Sequence, residues 1–251
     1  MPFNYLRNSW LTFLLNGIEL IMIKVNINFE RIGVFMRNLE KDAKEMSERR
    51  ENILREGFRL FAEKTIDAVP MIDVAKAAGV GIATLYRYYS VKSDLVLGIS
   101  TDVWFKYISE NYKKMQEFRE QDPSASREYE FMLDSFLDLY KNHRDILRYN
   151  QFFNVYVQNE KISQEQMKPY FDMINVLKER FHEIYVKGLE DKTLRTEEFP
   201  EQTIFSSTMH IMLAAAARYA VGLVYVTEAS DPENELLMLK EMLMNKFTVR
   251  S

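Results

Sequence analysis

From Met36 onward the apolar positions recur at intervals of three and four residues, the spacing of helix faces buried on one side. Leu54, Phe58, Phe61 and Ala62 share one such face, and Met71, Val74, Ala75 and Ala78 another. Alternating runs of strand length and Asn-Gly hairpin signals are missing. Breaks fall near 65–70, 79–81, 90–91, 121–126, 142–143, 160–163, 189–200 and 229–232. Long helical stretches between short breaks predict an all-α chain. No internal repeat or low-complexity tract interrupts it.

The first helix is expected to begin near Ser47 or a little earlier, Ser47 being a residue type suited to an N-cap. Residues 65–69 would connect it to a short helix with Pro70 in its first turn, where a missing N–H costs nothing. Gly79 should end that helix in the left-handed conformation. A third short helix is expected over 81–88, and a longer fourth from about Val91–Lys92 past Tyr107. Two short helices around a Gly-containing turn, Ala78-Gly79-Val80-Gly81, form the spacing of a helix-turn-helix. Small residues at Ala75 and Ala78 allow a close crossing, and Val80 and Leu85 would plug the pair into its core. Ile82, Ala83, Thr84, Tyr86, Arg87 and Tyr88 are left as candidates for the exposed face of the second helix.

Net charge is −4, which at first argues against nucleic acid, but its distribution is uneven. Residues 36–95 hold 11 Lys/Arg against 10 Asp/Glu, whereas residues 96–251 hold 19 against 25. The acidity belongs to the C-terminal part, although a difference this small does not establish DNA binding alone. With no cysteine, disulfides and thiolate metal sites are excluded. His143, His182 and His210 have no partner at metal-ligand spacing. Nucleotide-binding loops, nucleophile elbows and His-Glu-x-x-His boxes are missing too. Neither an enzyme nor a cofactor is expected.

Residues 1–35 read differently from the rest. Trp10 to Val25 is apolar but broken by Asn16, Gly17 and Glu19, short of the ~20 apolar residues of a membrane span. An interfacial anchor, an extra docking helix and an upstream misassignment of the start codon compete. The last is favoured, because Glu30-Arg31-Ile32-Gly33 is encodable as a purine-rich ribosome-binding sequence before Met36. The extension is expected to be non-native or poorly ordered, and the protein cytoplasmic.

Asp73-Val74-Ala75-Lys76-Ala77-Ala78-Gly79-Val80 and Thr84-Leu85-Tyr86-Arg87-Tyr88-Tyr89-Ser90-Val91-Lys92-Ser93-Asp94-Leu95 together resemble the TetR/AcrR family of transcriptional regulators. Phe58 to Lys64 is similar to that family's first helix. The resemblance implies a three-helix DNA-binding domain over 36–95 and a helical effector-binding and dimerisation domain over 96–251. It implies Thr84, Tyr86 and Tyr88 on the DNA side, with Tyr86 donating to a phosphate. Lys92 would contact the DNA backbone, and Arg87 a base edge or phosphate. Several positions depart from the family pattern. Gly81 stands for a Ser-type cap, Ile82 for a polar base reader, Pro70 for a Thr and Thr65 for a turn Gly. These departures point to backbone, shape and thymine-methyl contacts rather than polar base readout.

For an effector pocket the resemblance directs attention to Trp104, Tyr107, Tyr149, Phe152, Phe153, Tyr156, Met173 and Leu177, whose aromatic and Met side chains suit an apolar small molecule. The same residues would also serve as ordinary core. Helices expected over 201–226, with the small-residue run Ala214–Ala217, and over 232–247 are candidates for a homodimer interface. The implied partners are a palindromic operator duplex and an unidentified effector that shifts the dimer to a weaker-binding state, with repression as the family's usual sign. The alternative is a non-DNA-binding helical scaffold or partner-binding module that keeps the fold.

Overall fold

The computed structural model describes residues 29–222 and 231–249. It divides into two compact units, residues 1–50 and 51–251. Residues 1–28 lie outside those described, and with them most of the N-terminal extension.

Helix α1 runs Phe29–Lys64. It therefore starts well before Ser47, which lies inside it rather than at its cap. The physical reason is a ladder of helix-spaced charges. Lys41 meets Glu45 at 4.0 Å, Lys44 meets Glu48 at 3.9 Å, and Arg49 reaches back to Glu45 at 3.0 Å. Each exposed pair contributes only a few tenths of a kcal/mol, but all favour continued helix.

In the second unit, α2 (Met71–Ala77), α3 (Ile82–Tyr88) and α4 (Lys92–Arg119) follow. Helices α5 (Ala125–Asn142), α6 (Arg144–Asn159) and α7 (Lys168–Asp191) come next. Then α8 (Glu201–Thr208) passes through a π-helical turn, Met209–Leu213, into α9 (Ala214–Val221). Helix α10 (Pro232–Phe247) closes the described chain. Pro70 is the N-cap of α2, one position outside the first turn. The expected continuous helix over 201–226 is corrected twice. It contains the π turn, and it stops at Val221, where Gly222 takes φ 101°. Residues 223–226 lie outside those described. Among the described residues the only β feature is a single antiparallel bridge, Leu194 to Thr248.

Two apolar clusters organise the second unit. One joins the residues of the helix-turn-helix, among them Ile53, Phe61, Val74, Leu85, Leu95 and Ile99, to Tyr149, Phe153, Tyr156 and Met167 of the α6–α7 region. Gly57 sits where α1 meets α4, and a Cβ there would lie 2.7 Å from Ile99 Cδ1. The other cluster fills the space between helices α4 to α10. Ser124, at the N-cap of α5, makes no capping bond with its side chain. Two orphan amides of that helix are satisfied from a distance instead. Asp191 accepts from Ala125 N at 2.6 Å, and Thr193 Oγ1 accepts from Ser126 N at 3.0 Å.

Candidate nucleic-acid interface and ligand cavity

The helix-turn-helix owes its geometry to a few side chains. Ala78 N donates to Val74 O at 2.9 Å and Val80 N to Ala75 O at 3.0 Å, closing α2. Between them Gly79 takes φ 67°, a region costly for residues with a Cβ. An added Cβ there would touch nothing within 4 Å, so the requirement is conformational rather than spatial. Gly81 caps α3 with its backbone alone. Leu85 is fully buried and anchors α3 by its inner face.

The outer face of α3 carries Ile82, Ala83, Tyr86 and Arg87, all exposed, with Thr84 and Tyr88 half-buried. Tyr86 keeps 48% of its surface accessible, whereas Tyr89 is buried with 6%. Arg87 Nη2 donates to Thr84 Oγ1 at 3.3 Å, so these two polar side chains form a joint exposed unit. Lys92 is placed differently. Its Nζ reaches the Asp67 carbonyl at 3.5 Å and lies 5.8 Å from the centre of the Phe61 ring. Burial lowers its pKa, against the opposing influence of Asp67 and Glu160. The six α3 candidates thus share one short helix, while the Lys92 ammonium turns toward the loop after α1. Ile72 and Val91, exposed to 59% and 50%, add apolar surface on the flanking elements.

The second feature is a cavity of about 120 Å³ in the C-terminal bundle. Of the residues proposed from sequence for an effector, Trp104, Tyr107 and Leu177 line it. The remaining five do not. Tyr149, Phe153 and Tyr156 belong to the cluster beneath the helix-turn-helix, with Phe152 against it. Met173 is buried in the bundle core away from the cavity wall. Tyr149 donates its hydroxyl to the Val96 carbonyl at 2.6 Å, a buried link between α6 and α4. Sequence reasoning missed Met132 and Phe136 of α5, and Phe205, Met209 and Leu213 of the α8–π segment, all of which line the wall. The only signal for them was helical spacing, which any core residue shares.

The cavity's polar groups are few. Tyr107 donates to the Ser135 carbonyl at 2.6 Å. Arg119 bonds Glu128 at 2.8 Å and Glu183 at 2.6 Å. Glu128, almost fully buried, also accepts from Lys187 at 3.0 Å. Arg180 donates to the Ile108 carbonyl at 2.8 Å and stacks 4.2 Å from the Tyr112 ring centre.

Residues 53–99 match the model of the bacterial regulatory proteins of the tetR family. In that segment the chain is similar to the tetR family. An HTH-type transcriptional regulator of Staphylococcus aureus (strain USA300) is 36% identical over 85 residues, 32% of this chain and 44% of the relative. The chain thus aligns with less than half the length of the curated relatives it matches. Likeness to solved structures of transcriptional regulators extends further. A tetR-family regulatory protein from Rhodococcus RHA1 superposes with TM-score 0.61 at 14% identity, covering 81% of this chain and 98% of that one. The ketosteroid transcriptional regulator KstR2 of Mycobacterium tuberculosis gives TM-score 0.56 at 12% identity, covering 80% and 96%. FadR from Bacillus subtilis in complex with stearoyl-CoA gives TM-score 0.58 at 13% identity, covering 77% and 97%. At such identities the superpositions speak for the fold. Among the described residues no helix is long and apolar enough to cross a membrane.

Proposed function

We propose that the protein is a homodimeric transcription regulator that binds a palindromic operator through α3 and releases it when an effector fills the bundle cavity. The observation that carries this reading is the two-sided character of α3. Leu85 is fully buried while Ile82, Ala83, Tyr86 and Arg87 face outward. A helix held this way can enter a major groove. Ile82 would meet a thymine methyl, Tyr86 and Thr84 phosphates, Tyr88 the groove edge, and Arg87 a phosphate or a base edge. Lys92 would leave the Asp67 carbonyl for a phosphate when DNA arrives.

A single helix-turn-helix makes too few contacts for useful operator affinity, so the reading requires two copies. Exposed apolar residues support such a dimer. Ile211 and Val221 lie on the π–α9 segment, and Leu237, Met238 and Met242 on α10, each about 40% exposed or more. The cavity supports an effector, and repression follows the family's usual sign. The cytoplasm is the compartment in which such a regulator would act.

Electrophoretic mobility shift on the DNA upstream of the protein's own gene tests the reading. Tyr86→Phe and Lys92→Ala should each weaken the complex across DNA sequences, and Lys92→Ala should lower the salt slope by about one. A folded dimer that gives no shift at low salt would instead be the scaffold.

A further inference from the structure

Two polar groups of the cavity wall, the Trp104 indole and the Arg180 guanidinium, lack a direct partner among the described residues for part of their hydrogen-bonding capacity. Trp104 is 7% exposed and lines the wall. Its indole Nε1–H has no hydrogen-bond partner among the described residues. An indole nitrogen can only donate, so whatever satisfies it must be an acceptor. One helical turn further along α4, the Ile108 carbonyl receives Arg180 from α7. Glu183 acts on that guanidinium through space, but no carboxylate among the described residues pairs with it directly. Glu183 is taken by Arg119, and Glu128 by Arg119 and Lys187. No ion pair involving Arg180 occurs among the described residues, although the group is partly withdrawn from water. Its remaining guanidinium N–H groups are free to serve a planar acceptor, the geometry that arginine offers to carboxylates. Met132, Phe136, Phe205, Met209 and Leu213 give the wall apolar surface.

We infer that the effector is a single-headed amphiphilic anion, a carboxylate on an apolar body, with its head between Trp104 and Arg180 and its body among Met132, Phe136, Phe205, Met209 and Leu213. This rests on the reading of the cavity as an effector site and gives that site a ligand class. The head supplies the acceptor that Trp104 lacks and a direct ion pair for Arg180. A cationic amphiphile would meet a guanidinium that has no direct ion pair and be repelled. A neutral alcohol would satisfy Trp104 but leave Arg180 without a counter-ion. The body ends against Met209 and Leu213, both in the π turn. That same turn exposes Ile211, so occupancy of the cavity presses on a segment that faces the proposed dimer partner.

The test is direct binding to the full chain without DNA, read by Trp104 fluorescence in a Trp10→Phe background and by calorimetry. The probes are decanoate, 1-decanol and decyltrimethylammonium, which share an apolar body and differ in the head. The expected result is decanoate at least tenfold tighter than decanol, with the ammonium weakest. Arg180→Met should bring decanoate down to the level of decanol, and Arg180→Lys should restore part of the difference. The decanoate-to-decanol ratio is taken within each variant, so a general loss of stability does not imitate the effect. Equal binding of the three probes, preference for decanol or the ammonium, no binding of any, or an unchanged ratio in Arg180→Met would overturn the inference. Because no DNA is present, such a result leaves operator binding untouched. Failure to bind operator would leave the probe result standing.

Discussion

The helix-turn-helix and the bundle cavity occupy one chain but are specified in opposite ways. In the first, a run of about 25 residues contains nearly everything that sets its geometry: Gly79 at φ 67°, the small Ala75, and buried Leu85. In the second, the wall is assembled from α4, α5, α7 and the α8–π segment, across about 110 residues. Short-range structure leaves a signature in sequence order. A cavity between helices leaves only the apolar faces, which look the same whether they close on one another or around a ligand. Tyr149, Phe153 and Tyr156 were candidates for the cavity, yet they pack beneath the helix-turn-helix.

The largest expected effect tests whether the head depends on its inner anchor. Leu85→Ala should cost about 2–5 kcal/mol, because a fully buried side chain is removed and the short helices cannot close the gap. Chemical denaturation followed by circular dichroism measures it. A cost below about 1 kcal/mol would mean that α3 is not held by Leu85. A second experiment sharpens the line between head and cavity. Tyr149→Phe leaves shape intact but removes the hydroxyl bonded to Val96, and should cost about 1–2 kcal/mol. It should leave decanoate affinity unchanged, since Tyr149 is outside the cavity wall. A large loss of decanoate binding would break the separation.

The smallest effect is a gain. Thr65 takes φ 78°, a conformation that a β-branched residue adopts only under strain. Thr65→Gly should stabilise the protein by about 1 kcal/mol, the relief of the left-handed penalty less the entropy lost by glycine. Thermal unfolding reads the change, and a lower midpoint would show that Thr65 makes compensating contacts.

How much of this was legible beforehand follows from the same contrast. The left-handed Gly79, the break at 79–81 and the burial of Leu85 were readable because each is a local rule about turn chemistry or face. The departure at Thr65 was visible as a missing glycine, and the structure gives it a dihedral angle. The start of α1 was misplaced because Ser47 suits a cap, while the charge ladder through Lys41, Glu45 and Arg49 favours helix more strongly. The π turn at 209–213 was not legible. Met-His-Ile-Met-Leu followed by four alanines carries no helix-breaking residue, so the extra residue in that turn is set by packing against neighbouring helices. Trp104, Tyr107 and Leu177 were found because they are large and apolar on α4 and α7. Met132, Phe136 and Met209 fit the same description and were passed over, which shows how little residue type alone discriminates.

The central claim is that two copies of α3 present Ile82, Thr84, Tyr86 and Arg87 to successive major grooves of one duplex. Hydroxyl-radical and methylation footprinting on the upstream DNA tests it most directly. The account predicts two protected patches on one face of the duplex, related by dyad symmetry, with centres a whole number of helical turns apart at about 34 Å per turn. Substitution of Leu85 should abolish both together. A single patch, protection without symmetry, or none at all from a folded dimer would contradict it.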